Sequence, residues 1–101
     1  MQEKRKYPRV PLLLDVTWED ATSTHQARTG DISLGGCFID TVGQATVGET
    51  ISFRLRLPSG EWIEMHGEVR WELPGSGFGV KFKDLSDESQ KQVAAFVKAR
   101  G

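Results

Sequence analysis

Polar and glycine residues that suit a ligand cradle lie together in residues 31–39, which read DISLGGCFI. Asp31 and Ser33 precede Gly35 and Gly36. Asp and Ser side chains bond to nearby backbone and favour turns, while glycines tolerate positive φ and allow a close approach to the backbone. The stretch therefore predicts a strand, a tight turn and a new strand, either as a plain hairpin corner or as a polar cradle for a ligand.

A basic cluster lies close to the N-terminus, where residues 4–9 read KRKYPR. Pro8 and Pro11 disfavour a helix, so we expect an extended arm with Arg5 and Arg9 on the same side. Such a cluster is either a solvated tail or a pair of guanidinium groups that binds phosphates and guanine edges. Residues 1–9 carry a charge of +3 and the whole chain −1, so the rest carries −4. This asymmetry favours a local anion site over a surface built for duplex nucleic acid.

Catalytic and metal-binding patterns are weak in comparison. His66 is predicted on the outward face of a strand without Cys or carboxylate ligands at metal spacing, and His25 is the other histidine. Cys37 lies in an apolar run, which favours a buried, unreactive thiol. Nucleophile-elbow, phosphate-loop and dinucleotide fingerprints do not occur in the sequence. We therefore predict a protein that is not an enzyme and that has no metal site and no cofactor.

The composition is that of a soluble globular protein with one domain. The chain has 101 residues, of which 38% are hydrophobic and 27% charged. Its apolar runs are too short to span a membrane, and its charged N-terminus is unlike a secretory signal. A single cysteine excludes an internal disulfide and a multi-cysteine metal site. These features favour a cytoplasmic location.

Alternating apolar and polar residues predict a chain of short β-strands. Six strands are expected, at residues 12–20, 22–32, 37–41, 50–57, 62–71 and 78–83. The inward-facing residues of the four alternating strands are Leu12, Leu14, Val16 and Trp18; Ile51, Phe53, Leu55 and Leu57; Ile63, Met65, Gly67, Val69 and Trp71; and Phe78, Val80 and Phe82. Turn residues separate the strands, which indicates an antiparallel barrel or sandwich, and closure into a barrel removes exposed edges.

The C-terminal residues show helical rather than strand periodicity. Ser86 suits an N-cap, and acidic residues follow it in the first turn. Val93, Phe96 and Val97 form a narrow apolar stripe at helical spacing, which predicts a helix packed on the barrel. The predicted organisation is one domain over residues 1–101, with a basic arm at 1–11, a barrel at 12–83 and a helix at 86–100.

The two polar stretches together resemble the motifs of the PilZ domain family. Residues 5–9 have the form RxxxR, residues 31–36 have the form DxSxxG, and a VRW strand at 69–71 precedes a GFGVKF strand at 77–82. Each motif alone has low specificity, whereas both in this order over the whole chain are fairly specific. The resemblance implies a six-stranded antiparallel β-barrel with one C-terminal helix, in agreement with the alternation. It also implies a bacterial receptor module for the second messenger cyclic di-GMP.

The resemblance assigns ligand-binding roles to charged residues of both motifs. Arg5 and Arg9 are expected to contact guanine edges and phosphates and to stack on the bases. Asp31 is expected to pair with guanine N–H donors. Lys4 precedes the RxxxR motif, and a basic residue there resembles members that bind an intercalated ligand dimer, although Lys stacks less well than Arg.

Uncharged residues complete the site that the resemblance implies. Ser33 is expected to offer a hydroxyl group, and Gly35 and Gly36 a close approach to the backbone. Trp71 matches a strand position near the site in some members. Ligand binding is then expected to order the N-terminal arm and so present a surface to a downstream protein partner.

Two other functions compete with nucleotide binding. Some PilZ-like domains lack these motifs and act as protein-interaction adaptors, but this chain keeps the motif residues. A small barrel could instead bind single-stranded nucleic acid, which requires aromatic residues interleaved with basic ones across a strand face. The outward faces here are mixed in sign and often acidic, which disfavours that function.

Overall fold

The computed structural model describes residues 10–11, 13–20 and 22–100. The seven strands are β1 (Val10–Pro11), β2 (Asp15–Glu19), β3 (Thr24–Ile32), β4 (Gly36–Asp40), β5 (Thr50–Arg56), β6 (Trp62–Leu73) and β7 (Gly77–Lys83). One helix, α1 (Asp87–Arg100), follows them. No helix among the described residues is both long enough and apolar enough to cross a membrane.

Strands β2 to β7 form a closed antiparallel barrel. Their order is β3-β2-β5-β6-β7-β4, and pairing of β3 with β4 closes the circle. The short β1 pairs with β3 at Val10↔Ile32 and Pro11↔Asp31. It lies on the same edge of β3 as β2, which pairs with residues 24–28 of that strand. The predicted six-stranded barrel with a C-terminal helix is therefore confirmed, with β1 as an additional two-residue pairing.

The alternation correctly identified most of the core. Three of the four alternating strands bury their predicted inward residues as far as the structure describes them, and Leu12 lies outside the described residues. Those buried residues are Leu14, Val16 and Trp18; Ile51, Phe53, Leu55 and Leu57; and Phe78, Val80 and Phe82. In β6 the residues Ile63, Met65, Gly67 and Val69 are buried as predicted, but Trp71 is not.

The placement of Trp71 on the inward face was wrong because β6 contains a bulge. The β6–β7 register runs from Val69↔Val80 directly to Trp71↔Gly79, so Arg70 is an extra residue. An extra residue in one strand shifts the side-chain alternation by one position. Trp71 therefore faces outward with 39% of its surface exposed.

The C-terminal helix begins as predicted. The Ser86 side chain accepts a hydrogen bond from the Ser89 backbone N–H at 3.1 Å, which satisfies one of the donors left open at the helix start. Val93 and Val97 are buried in the same hydrophobic cluster as the barrel residues. The side chain of Phe96, the third residue of the predicted stripe, lies outside the described part. Helix α1 thus adds apolar residues to the barrel core.

Candidate functional site

The DxSxxG motif lies at the junction of β3 and β4. The Ser33 backbone N–H donates to the Gly36 carbonyl at 2.8 Å, which closes a tight turn around Leu34 and Gly35. The Phe82 N–H of β7 donates to the Gly35 carbonyl at 2.9 Å. The motif therefore forms the predicted strand, turn and strand, and a third strand holds the turn in place.

The Ser33 hydroxyl is used within this turn. It accepts a hydrogen bond from the Gly35 N–H at 3.2 Å and donates to the Gly36 carbonyl at 3.4 Å, and the residue is 6% exposed. The Ser33 hydroxyl is therefore largely enclosed, and its hydrogen bonds stabilise the turn. Its contribution to ligand binding, expected from the motif, remains a proposal.

We expect Ser33→Ala to lower the free energy of unfolding by about 1 kcal/mol, since that is typical of a lost intramolecular hydrogen bond. The barrel should still fold, and ligand affinity should fall because the turn is less well held. Chemical denaturation and ligand titration measure the two effects. Ser59→Ala is the matched control, because Ser59 makes a similar bond to the Glu61 N–H in an exposed turn outside the motif. Equal ligand affinity in both variants would contradict the role of Ser33.

Gly36 has a different structural role from the one expected. The sequence suggested a positive φ, but Gly36 lies in β4 opposite Lys81 and does not adopt one. The close approach of a ligand to Gly36 stays a prediction. A Cβ atom at this position would overlap the carbonyl oxygen of Val80. The group that approaches Gly36 closely is therefore the backbone of β7, and the glycine is required for barrel packing.

A row of paired residues crosses five strands next to this turn. In order, the paired positions are Pro11, Asp31, Phe38, Gly79 and Trp71, on β1, β3, β4, β7 and β6. Directly paired residues point to the same face of a sheet, and Trp71 marks this face as the outer one for Asp31, Phe38 and Gly79. The tertiary structure thus brings Asp31 of the DxSxxG motif and Trp71, which are distant in sequence, to one surface.

A second bulge determines the direction of the Asp31 side chain. The β3–β4 register runs from Thr29↔Ile39 to Asp31↔Phe38, so Gly30 is the extra residue. Thr29 is buried, and its backbone N–H and side-chain oxygen bond to the backbone of Leu14 at 2.9 Å each. With Thr29 held inward, the bulge places Asp31 outward beside Phe38.

The aromatic residues of this row stack across a glycine. The rings of Phe38 and Trp71 have centroids 5.2 Å apart and planes 23° apart. A Cβ atom on Gly79 would lie 2.5 Å from the Trp71 indole, so only glycine leaves room for this packing. Phe38 was missed in the sequence analysis, although an aromatic residue on the outward phase of β4 was the available signal.

Basic groups flank the row, but carboxylates lie opposite them. Two residues before Phe38 on β4, the row through Gly36 contains Lys81 paired with Glu68. Two residues after Phe38, the row through Asp40 contains Arg28 paired with Asp40. Opposite charges at directly paired positions attract each other, so each of these cations has a carboxylate close by. The basic residues of the predicted site, Lys4, Arg5 and Arg9, lie outside the described residues.

A groove of about 680 Å³ lies beside this row, and its lining includes Asp15, Arg28, Asp40 and Trp62. The Arg28 Nε atom is 3.9 Å from the Asp15 carboxylate. None of Asp31, Ser33, Gly35, Gly36 and Trp71 lines this groove. We take the outward row as the candidate site, because its carboxylate and aromatic rings suit a nucleobase better than the mixed charge of the groove.

Neither the histidines nor the cysteine belongs to this row. His25 Nε2 is 2.8 Å from Asp20 Oδ2, and this bond, with the backbone N–H groups of Thr22 and Ser23, holds the pKa of Asp20 well below its usual range. Cys37 is buried, and His66 is exposed on β6. In the described part of the chain, no three His, Cys, Asp or Glu side chains are placed to hold a metal ion.

The model of the family described as PilZ domain matches residues 3–99. The chain belongs to the PilZ domain family. The match includes the RxxxR stretch, the DxSxxG turn and the C-terminal helix. Among curated proteins, none matches the chain.

Solved structures share the PilZ fold with this chain at low sequence identity. The inhibitor of motility MotI/DgrA of Bacillus subtilis is 21% identical, with a TM-score of 0.82 over 98% of this chain and 51% of that one. YcgR of Escherichia coli in complex with c-di-GMP is 15% identical, with a TM-score of 0.80 over 96% of this chain and 46% of that one. The MrkH–c-di-GMP complex of K. pneumonia is 18% identical, with a TM-score of 0.79 over 96% and 52%. The chain thus spans about half the length of these proteins.

Proposed function

We propose that this PilZ domain is a receptor for cyclic di-GMP and not an enzyme. The observation that carries the proposal is the pairing of Pro11 with Asp31, because β1 directly follows the RxxxR residues in sequence. The residue two positions after Arg9 therefore pairs with the first residue of the DxSxxG motif. The solved complexes of YcgR and MrkH with c-di-GMP, which share the fold, support the choice of ligand.

The chemistry of the two motifs matches the ligand. Cyclic di-GMP has two phosphates and two guanines. Guanidinium groups bind phosphates and the O6/N7 edge of guanine bidentately, and they stack on flat bases. The carboxylate of Asp31 can accept hydrogen bonds from the N–H donors of the guanine edge that arginine does not reach. We therefore assign Arg5, Arg9 and Asp31 to direct contacts, with Lys4, Ser33, Gly35, Gly36 and Trp71 around them.

Calorimetric titration of the chain with cyclic di-GMP tests the proposal. We expect saturable binding, and we expect no comparable binding of a single-stranded oligonucleotide. Absence of cyclic di-GMP binding would overturn the receptor function in favour of an interaction adaptor. Stronger binding of the oligonucleotide would instead favour a nucleic-acid-binding barrel.

The signal that we propose is the ordering of the N-terminal arm against the barrel. The ligand's phosphates and bases can bridge Arg5 and Arg9 to Asp31, and these charge-assisted contacts offset the entropy of ordering the arm. A downstream protein partner would then recognise the ordered arm. The cytoplasm, where second messengers act, is the location that we propose.

We expect cyclic di-GMP to increase the protection of backbone amides in residues 1–10 from hydrogen exchange. The matched internal control is the β5–β6 pairing at Phe53↔Met65, which lies across the barrel and should not change. Hydrogen exchange followed by mass spectrometry, with and without ligand, measures both regions. Strong and equal protection of residues 1–10 in both states would contradict the switch without contradicting the binding.

A further inference from the structure

We propose that the outer face of β2 and β3 binds a second copy of this chain about a two-fold axis. Four charged residues of alternating sign cross this face from β4 to β5, and we call them the charge ladder: Asp40, Arg28, Asp15 and Arg56. The proposal concerns the partner of this surface, and it holds whether or not the chain binds cyclic di-GMP.

The strand register places the charge ladder in one row. Arg28 on β3 is paired directly with Asp40 on β4 and with Asp15 on β2. The β2–β5 register continues this row to Arg56, whose Nη1 atom is 4.0 Å from Asp15 Oδ2. Because directly paired residues share one face of a sheet, the four charged groups lie side by side on the outer surface.

The central charges of the ladder are held loosely within one chain. The Asp15 carboxylate lies 3.9 Å from Arg28 Nε and 4.0 Å from Arg56 Nη1, and both distances are longer than a hydrogen bond. All three side chains are more than half exposed. These guanidinium and carboxylate groups therefore keep donors and acceptors that a partner can use.

The order of the charges makes the ladder complementary to a second copy of itself. A two-fold axis that runs parallel to the strands between β2 and β3 reverses the row in the partner. Arg28 then faces the partner's Asp15, and Asp40 faces the partner's Arg56. Each contact occurs twice, because a two-fold interface uses the same patch on both copies. Every charge of the ladder thereby meets a charge of opposite sign.

Exposed apolar side chains at the two ends of the ladder fit the same symmetry. Trp62 is paired with Arg56 beyond the β5 end and is 42% exposed, and Val42 follows Asp40 at the other end and is 87% exposed. Both line the groove of about 680 Å³, so the two ends border one continuous surface. The two-fold axis brings Trp62 of each copy to the partner's Val42, which removes apolar surface from water.

The row beside the ladder is uncharged at the axis. Gln26 on β3 is paired with Thr17 on β2, and both line the same groove. The axis places Gln26 against the partner's Thr17, where an amide and a hydroxyl can form a hydrogen bond. This row therefore adds polar contacts to the interface without bringing like charges together.

Charge reversals at the axis test the proposal. Asp15→Arg places two positive charges opposite each other across the axis, and Arg28→Asp places two negative charges there. Each single variant should dimerise at least about tenfold more weakly than the wild-type chain, because facing like charges strongly disfavour a complex. Sedimentation velocity of the ligand-free chain over a series of concentrations measures the monomer–dimer equilibrium. Glu88→Arg is the matched control, since it changes the net charge as Asp15→Arg does but at an exposed position on α1.

Two rescue experiments separate charge complementarity from damage to the fold. An equimolar mixture of Asp15→Arg chains and Arg28→Asp chains should form heterodimers, because every charge of one ladder then meets an opposite charge of the other. The double variant Asp15→Arg/Arg28→Asp should dimerise as the wild-type chain does, because exchanging the two central charges keeps the ladder complementary to itself. Damage to either variant's fold would not be repaired by mixing.

A wild-type chain that stays monomeric up to millimolar concentration overturns the proposal. Single variants that dimerise as tightly as the wild type also overturn it, as does a mixture of the two that does not associate. If either central variant does not fold, Asp40→Arg and Arg56→Asp supply the same design at the outer positions of the ladder: each alone should weaken the dimer, and their mixture should restore it.

Discussion

Gly36→Ala should destabilise the barrel by about 3 kcal/mol, at the upper end of the range for overpacked sites. The added Cβ would overlap the carbonyl oxygen of Val80, which is backbone and cannot rotate away as a side chain can. Relief requires β4 to move away from β7, and these strands share five paired positions, from Gly36↔Lys81 to Asp40↔Gly77. Thermal and chemical denaturation measure the loss, which for a domain of this size lowers Tm by roughly 12–24 °C.

Gly30→Ala is the matched control for this prediction. Gly30 lies on the adjacent strand and also lacks a positive φ, but the nearest atom to an added Cβ is a ring carbon of Phe38 at 3.1 Å. A half-buried side chain can shift by a few tenths of an ångström, so the cost should be under about 1 kcal/mol. Equal stability losses in the two variants would show that the approach of β7 to Gly36 is not what requires the glycine.

Arg9→Ala and Arg5→Ala should each reduce cyclic di-GMP affinity by at least about tenfold, because hydrogen bonds to charged groups are worth roughly 1.5–3 kcal/mol. Arg9 should matter for a second reason, since it directly precedes β1, whose Pro11 pairs with Asp31. Arg9→Lys should recover only part of the affinity, because an ammonium group lacks the planar fork that binds phosphate and guanine bidentately. Calorimetry at two salt concentrations measures these effects, and higher salt should weaken wild-type binding.

Arg54→Ala is the control that distinguishes loss of a specific ligand contact in Arg5→Ala and Arg9→Ala from loss of one positive charge. Arg54 is an exposed cation on β5, a strand that pairs with neither β3 nor β4, and its guanidinium lies over Trp62. We expect its affinity for cyclic di-GMP to remain within twofold of the wild type. Ligand-free stability should be unchanged in the arm variants. An affinity loss in Arg54→Ala as large as in Arg9→Ala would contradict the assignment of the RxxxR residues.

The sequence by itself determined the barrel and most of its core. The period of two in the Thr50–Arg56 and Gly77–Lys83 strands specifies which residues face inward, and burial of apolar groups makes that choice the stable one. Ser86 and the acidic residues after it likewise determined the start of the helix locally. The RxxxR and DxSxxG motifs could be recognised without the structure, because each is a short stretch of contiguous residues, and their order along the chain indicated the family.

Only the tertiary structure decided the composition of the outward row. A bulge inserts one unpaired residue that the alternation of apolar and polar residues does not reveal. Sequence periodicity therefore placed Trp71 on the inward face of the barrel. The stack of Phe38 on Trp71 depends on strands β4 and β6 lying either side of Gly79, which is a property of barrel closure. The requirement for glycine at position 36 has the same origin, because the backbone that excludes a side chain there belongs to β7, more than forty residues further along the chain.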